Sequence, residues 1–305
     1  MSRLLSAATV TFVGLSSKAL LNSAFCSVTV NGLHILRAAL ESSARNNNQG
    51  VITVANHIST LDDPVTWGVL PAHYYLRERT TRWALGASDI MFTNPLFSTF
   101  FRLGQTLETF RGKGIHQHAV DFAIEQLNGG GWVHLYGEGK VNQPDTYTQD
   151  ANGFARLPRF KWGVGRMVME SKTPPVIIPM WLTGFEQLMP EGRAFPYKYF
   201  PRPGAELTVT FGNPISTKTI RQGLQGWDSG LVSGSVDKDE DPKGWLVDEV
   251  QRRSERRHRE APEGTARAAE ELSKVRARVT AIIHDAVENL GRSVSGKSLY
   301  TPRQN

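Results

Sequence analysis

The sequence predicts an α/β fold, a mixed central sheet flanked by helices and closed by a C-terminal amphipathic helix. Three observations carry that prediction. Between residues 51 and 211, short apolar runs of strand length alternate with stretches of helical periodicity. Glycine-rich turn signals punctuate them. Beyond residue 264, Leu272, Val275, Val279, Ile282, Ile283, Ala286 and Leu290 recur at helical spacing with charges between them. A chain of 305 residues, 40% of them hydrophobic, is long enough for one large core with appendages.

Taken in order, residues 1–44 read as an N-terminal targeting or interfacial membrane segment. The first 40 residues contain no acid, several serines, and Arg3, Lys18 and Arg37, a composition that resembles a mitochondrial address. The apolar run "LLSAATVTFVGLSS" ends at Lys18 after 14 residues, short for a bilayer crossing, so an interfacial position is expected over a spanning one. The main domain is expected over 45–227. Its strands are Val51 to Ala55, Trp83 to Ala87, Gln105 to Phe110, Trp132 to Tyr136, Val176 to Met180 and Leu207 to Phe211. In "TNPLFSTFFRLG", a Thr93 or Asn94 cap and Pro95 start a helix on which Leu96 and Phe100, like Phe97 and Phe101, share a face. At least half of these are expected in the core, with the rest free to wall an acyl chain or enter a membrane surface. Ile115, Ala119, Phe122 and Leu127 define a further helix that Gly129 stops. Residues 228–264 change character to Gly, Ser, Asp and Lys and then "QRRSERRHRE", a charged flexible insertion. The amphipathic helix occupies 265–291, with Gly291 as its stop, and 292–305 form a tail.

Charge and cysteine content narrow the function. Residues 1–227 hold 21 Lys+Arg against 15 Asp+Glu, and 228–305 hold 14 of each, so the whole surplus of +6 lies in the first part. That distribution suits an anionic membrane surface as partner. The basic residues are scattered rather than striped, and no helix-turn-helix or basic-aromatic ladder is present, which argues against nucleic acid. A single cysteine, Cys26, excludes an internal disulfide and a multi-thiolate zinc site. The eight histidines do not cluster with carboxylates at ligand spacing, and there is no HExxH, EF-hand loop or G-x-S-x-G elbow. No metal is expected. "GRSVSGKS" at 291–298 spells a phosphate-binding loop, but it follows a helix rather than a strand and only seven residues remain beyond it. No nucleotide partner is expected either.

The chemistry concentrates in "VITVANHISTLDDPVTWG", where a buried strand runs into Asn56-His57 and then Asp62-Asp63-Pro64. In a continuous helix His57 and Asp62 would be separated by about 500° of rotation, so the histidine must stand in the turn. Asp63 as N-cap and Pro64 at the first helical position would start the helix there. Asp62 would then be left outside to fold back on the imidazole, fix its tautomer and raise its basicity. The plainer alternative is that His57 ends a strand and both aspartates cap. Two more strand-end loops carry charge: Arg111 and Lys113 in "RGKG", and Glu138, Gly139 and Lys140 in "LYGEGKVN".

In order and spacing these pieces resemble the glycerolipid acyltransferases, whose motifs are N-H-x-x-x-x-D, an arginine after a strand, and an E-G loop. Within that family, "NHISTLDDPVTWG", "WVHLYGEGKVN", "RFKWGVGRMVME" and "PPVIIPMWLTGFE" are similar to the phospholipid-lysophospholipid transacylases that remodel cardiolipin. The resemblance covers residues 50–215. Where the family usually has proline before the E-G pair, this chain has Gly137. The resemblance implies a glycerolipid-acyltransferase-like fold, with His57 as general base and Asp62 as its partner. It makes Arg111 and the Glu138-Gly139 loop the clamp on a glycerophosphate head, with Asn56, Lys113 and Lys140 as further substrate-binding candidates. It implies phospholipid and lysophospholipid substrates, no cofactor, and a peripheral or monotopic place on mitochondrial membranes, inner or outer, facing the intermembrane space. A CoA-dependent lysophospholipid acyltransferase and a non-catalytic membrane-binding scaffold are the competing expectations. Ser59, inside the first motif, is the alternative nucleophile.

Overall fold

The computed structural model describes residues 3–161, 163–225, 244–247 and 264–300. Seven strands form one sheet: β1 (Cys26–Asn31), β2 (Val51–Ala55), β3 (Trp83–Ala87), β4 (Thr106–Thr109), β5 (Trp132–Tyr136), β6 (Val176–Thr183) and β7 (Ala205–Phe211). Their order is β1-β7-β6-β2-β5-β3-β4. Strands β2 to β6 run parallel to one another, β7 lies antiparallel to β6, and β1 is parallel to β7. The sheet is therefore mixed, as expected, and the carboxyl ends of β2 to β6 share one edge with the starts of β1 and β7.

All six expected strands are present, and one was missed. Strand β1 lies inside the span assigned to the N-terminal segment. It pairs with β7 from Cys26↔Ala205 to Asn31↔Thr210, and helix α2 (Leu33–Glu41) returns from it to pack Leu36, Ala39 and Leu40 into the core.

Alternation along the strands sorts the core into two layers. Ile52 and Val54 of β2, Val133 and Leu135 of β5, and Trp181 of β6 face one layer. It is covered by α6 (His118–Asn128), α7 (Gly163–Glu170) and the long C-terminal helix α10 (Gly264–Ser295). Val51, Ala55, Trp132, Tyr136, Met180 and Leu182 face the other layer, under α1 (Arg3–Leu21), α2 and the short α3 (Asp62–Thr66). Helices α4 (Ser88–Met91) and α5 (Pro95–Leu103) link β3 to β4. Helix α8 (Phe185–Leu188) follows β6, and α9 (Thr217–Gln225) follows β7.

Two expectations about the C-terminal part change. Helix α10 does not stop at Gly291 but continues to Ser295. Gly291 lies over the Trp181 indole, where a Cβ would come within 2.7 Å of the ring, so the glycine serves close helix-to-sheet approach rather than termination. The charged insertion expected at 228–264 falls outside the described residues except for 244–247 and Gly264. Within that piece Leu246 and Val247 are buried, and the Trp245 indole N–H donates to the Val168 carbonyl at 2.6 Å, so these residues are core rather than solvated connector.

Helix α1 is the one helix among the described residues long and apolar enough to cross a membrane. Its inner side is nevertheless fastened to the domain. Ser6 Oγ donates to the Leu103 carbonyl at 2.8 Å, Thr11 Oγ1 to Tyr75 O at 3.1 Å, and Lys18 Nζ to Gly68 O and Leu70 O at 3.2 and 2.9 Å. Gly14 lets the helix lie on the Tyr75 ring. The outer side leaves Leu4, Leu5, Phe12 and Leu15 exposed.

Candidate active site

The site is assembled where β2 and β5 end side by side. Asn56, the residue after β2, is buried, and its amide both donates to Leu182 O at 3.0 Å and accepts from Leu182 N at 2.8 Å. The side chain expected to bind substrate is thus committed to joining the end of β2 to β6. His57 follows and is gripped through its backbone by the loop after β5. Its N–H donates to Glu138 Oε1 at 2.8 Å and its carbonyl accepts from Asn142 N at 2.7 Å. Glu138 also accepts from the Asn142 amide. Gly139, at φ +72°, supplies the turn that brings Glu138 inward, a conformation open to glycine at no steric cost.

The His57 imidazole lies on the Tyr136 ring, centroids 4.2 Å apart and planes within 20°. Its Nδ1 is 2.9 Å from Asp62 Oδ2, and its side chain keeps 20% of its surface exposed while Asp62 has none. Asp62 Oδ2 also accepts from the amides of Ile58 and Ser59, at 2.7 and 2.9 Å. Burial pushes the Asp62 carboxyl above its ordinary range, against the opposing pull of His57 and the two amides. With Nδ1 occupied, Nε2 is the nitrogen left to face a substrate.

The partition of the two aspartates holds in one half and fails in the other. Asp62 does fold back on His57, but it begins helix α3, and Leu61 stands at the cap position. Asp63 caps nothing. It forms an ion pair with Arg82, accepts from Arg82 Nε at 3.1 Å and accepts from the Trp67 indole N–H at 3.0 Å. Burial alone would raise its carboxyl, yet the adjoining guanidinium holds it below the usual range. Arg82 continues to Gly104 O at 3.0 Å, tying α3 to the start of β4. Ser59 is buried and its Oγ accepts from Leu61 N at 3.2 Å, which makes it part of the turn and not a presented nucleophile.

Glu138 is buried, and that burial pushes its carboxyl up to about 8 despite the donors from His57 and Asn142. The carboxylate expected to hold a glycerophosphate head therefore shapes the histidine turn. Gly139 and Lys140 are exposed beside it. Arg111 and Lys113 lie exposed after β4 on the same edge, and Arg111 pairs with Asp89 at 3.3 Å. Strand order places them three strands from β2, about 14 Å at the usual inter-strand spacing. The structure thus brings His57, Asp62 and Glu138 together and leaves Arg111 and Lys113 at the far end of the edge.

Tyr136, Asn142 and Gln143 were missed. Asn142 and Gln143 continue the Glu138 loop, but nothing in spacing alone marks an asparagine as the donor to a carboxylate four residues back. A cavity of about 580 Å³ opens at the β4 edge, lined by Val10, Trp83, Gln105, Leu107 and Phe122 among others. His57 does not line it. Among the described residues no group of three or more His, Cys, Asp or Glu could hold a metal ion.

A histidine held by a buried carboxylate at the strand-end edge of a mixed α/β sheet is the arrangement that general base chemistry requires. The sequence profile of the acyltransferase family matches residues 27–183, and the chain belongs to that family. It is 34% identical over 299 residues to tafazzin of Saccharomyces cerevisiae, covering 85% of this chain and 75% of that one. It is 40% identical over 169 residues to the N-acylphosphatidylethanolamine synthase of Arabidopsis thaliana, covering 54% of this chain and 55% of the relative. It is 38% identical over 165 residues to tafazzin of Drosophila melanogaster, covering 54% and 40%. The chain thus spans about half the length of these last two relatives. A solved 1-acyl-sn-glycerophosphate acyltransferase, PlsC, from Thermotoga maritima aligns over 72% of this chain and 76% of its own, with a TM-score of 0.45 and 18% identity.

Proposed function

We propose that this acyltransferase is a CoA-independent transacylase that moves fatty acyl chains between phospholipids and lysophospholipids, remodelling cardiolipin on mitochondrial membranes. The observation that carries the reading is the His57 imidazole, fixed by Asp62 at 2.9 Å and stacked on Tyr136, with Nε2 free at the edge of the sheet. Nε2 takes the proton of a lysophospholipid hydroxyl as its oxygen attacks the acyl ester carbonyl of a phospholipid. The tetrahedral adduct collapses, one ester bond forms as the other breaks, and the imidazolium returns the proton to the departing lysolipid oxygen. General base assistance of this kind is worth ~10²- to 10⁴-fold. Similarity to tafazzins over most of the chain supports the lipid-to-lipid direction.

The 40% identity to an N-acylphosphatidylethanolamine synthase favours a second reading, in which the acceptor is the amine of phosphatidylethanolamine. Purified protein given acyl-labelled phosphatidylcholine with lysocardiolipin or with phosphatidylethanolamine, and in parallel either acceptor with unlabelled phosphatidylcholine and labelled acyl-CoA, separates the readings. Label appearing in cardiolipin without acyl-CoA is expected, and His57→Ala should abolish it while the protein stays folded. Transfer that requires acyl-CoA, or a His57→Ala variant within a few-fold of wild type, would refute the proposal.

A further inference from the structure

We propose that the loop between α8 and β7, residues 189–204, is a second bilayer-docking element that seats its aromatic side chains at the headgroup-acyl boundary of an anionic phospholipid membrane. The loop exposes four aromatics within six positions: Phe195 at 77%, Tyr197 at 68%, Tyr199 at 63% and Phe200 at 62%. Aromatic side chains of this size ordinarily find cover, and a contiguous exposed group of them marks a contact surface.

The exposure is built into an ordered loop. Arg193 donates from Nε to Pro190 O at 3.2 Å and from Nη2 to Phe200 O at 2.8 Å, and the Arg202 amide closes on Leu188 O at 2.7 Å. The Lys198 and Tyr199 amides bond to Ala194 O and Pro196 O, both at 3.1 Å. Phe195 and Tyr199 meet edge to face at 6.3 Å, and the Lys198 ammonium lies 5.0 Å from the centre of the Tyr199 ring. The backbone is therefore tied at these points while the rings stay exposed.

Chemistry and position select a bilayer as the occupant. Arg193, Lys198 and Arg202 interleave with the rings, against Glu191 as the one acid. Tyrosine and lysine join an apolar body to a polar tip, the pattern suited to a surface that changes from acyl chain to phosphate over a few ångströms. The loop rises from the edge that bears His57, because β6 ends there and β7 begins there. Gln143 ties its base to the site: Nε2 donates to Met189 O at 3.3 Å and to Ile58 O at 3.4 Å, and Oε1 accepts from Glu191 N at 3.4 Å. On the other flank of the edge, after β3 and β4, Ile90, Leu96, Phe97, Phe100 and Phe110 are also exposed. From β6 to β3 is three strand steps, about 14 Å. The strand that bears His57 lies between the two clusters, so a bilayer laid along this edge would meet both, whereas a protein partner would have to bridge the mouth of the site.

The inference rests on the lipid-substrate reading only for the choice of membrane as the relevant surface, and its test is separate. Cys26, the single native cysteine, is buried, so a nitroxide on Phe195→Cys in the full chain reports one position. On adding vesicles of phosphatidylcholine and phosphatidylglycerol, the label should lose access to an aqueous nickel chelate and gain access to oxygen. The variant Phe195→Ser/Tyr197→Ser/Phe200→Ser, checked for an unchanged melting temperature, should partition onto the same vesicles about tenfold less, equivalent to about 1.4 kcal/mol. A label that stays water-accessible on bound vesicles, equal partition of the triple variant, or protection that appears only with a protein partner or at high concentration of the chain would each overturn the proposal. Should wild type transfer no acyl group to any lipid while the label still enters the bilayer, the functional reading fails and the docking inference stands.

Discussion

Asp62 and Asp63 are adjacent in the chain and belong to different networks, so their substitutions should separate catalysis from stability. Asp62→Asn keeps the shape but replaces the acceptor that fixes Nδ1, and turnover should fall by about 10⁴-fold with the fold intact, as in other carboxylate-imidazole pairs. Asp63→Ala leaves the Arg82 guanidinium facing no carboxylate and should cost about 3 kcal/mol, read as a lower urea midpoint, while the folded fraction keeps its activity. Equal loss of turnover at both positions would contradict this division. The His57-Asp62 pair was legible because a histidine standing in the turn leaves Asp62 within reach of the imidazole, although Asp62 begins the helix instead of preceding it. The sequence could not show Arg82, which approaches Asp63 from nineteen residues away. Two other buried groups pull the response to pH in opposite directions. Burial pushes His134 down to about 3 from 6.5, so between those values the unfolded chain binds a proton that the folded one does not, and stability falls as pH drops. Burial pushes Glu138 up to about 8 from 4.5, so there the folded chain holds the extra proton and stability falls as pH rises. The slopes oppose each other between 4.5 and 6.5. Urea midpoints should therefore plateau in that window and decline on either side, by up to about 1.4 kcal/mol per pH unit for each group. Glu138→Gln should flatten the alkaline limb; a limb unchanged in that variant would assign it to another group.

Among the elements, the strands were legible because a strand buried on both faces reads as a near-continuous apolar run, as "VITVA" and "WVHLY" do with Thr53 and His134 as single interruptions. Strand β1 was not, since "CSVTVN" is half polar and stands in an acid-free stretch whose composition points to a membrane. Its partner β7 is about 180 residues away in sequence, and only that pairing makes it a strand. Gly137, which replaces the family's usual proline, lies against the Phe160 ring, where a Cβ would come within 2.4 Å. Loop order here comes from that stacking and from the Lys161 amide donating to Gly137 O at 2.8 Å. Helix α10 gives the sharper test. Gly291→Ala adds about 1 kcal/mol of helix propensity in the interior of a helix. It also forces a methyl group into the Trp181 indole, which is wholly buried and donates to Ser295 Oγ at 3.1 Å. Overpacking of that kind costs ~1–3 kcal/mol. A lower melting temperature for Gly291→Ala is expected, and a higher one would mean that the indole gives way and that close approach to Trp181 does not need the glycine.

At the scale of the whole molecule, the charge surplus and the exposed apolar side chains make different claims about how the protein meets a membrane. The 21 basic against 15 acidic residues of 1–227 predict attraction to an anionic leaflet, of about 1 kcal/mol for each Lys or Arg near the surface, that salt screens. Composition could show that surplus but not the surface that uses it. The fold adds an apolar face: α1 lies against α5 through Ser6 and Leu103, and together they expose Leu4, Leu5, Phe12, Leu15, Leu96, Phe97 and Phe100. Insertion of such a face resists salt. Deleting residues 1–40 would not isolate this effect, because the deletion also removes β1 and its ladder with β7. Serine at Leu4, Leu5, Phe12 and Leu15 alters the outer side of α1 and spares the Thr11 and Lys18 bonds that fasten its inner side. Wild type floated with anionic vesicles should stay bound through a high-salt wash and leave only with detergent, whereas the fourfold serine variant should lose part of its bound fraction to the wash, with the loop 189–204 and α5 holding the rest. Complete release of wild type by salt alone would mean that charge holds the protein to the surface, and that an acyl chain must leave the bilayer to reach His57.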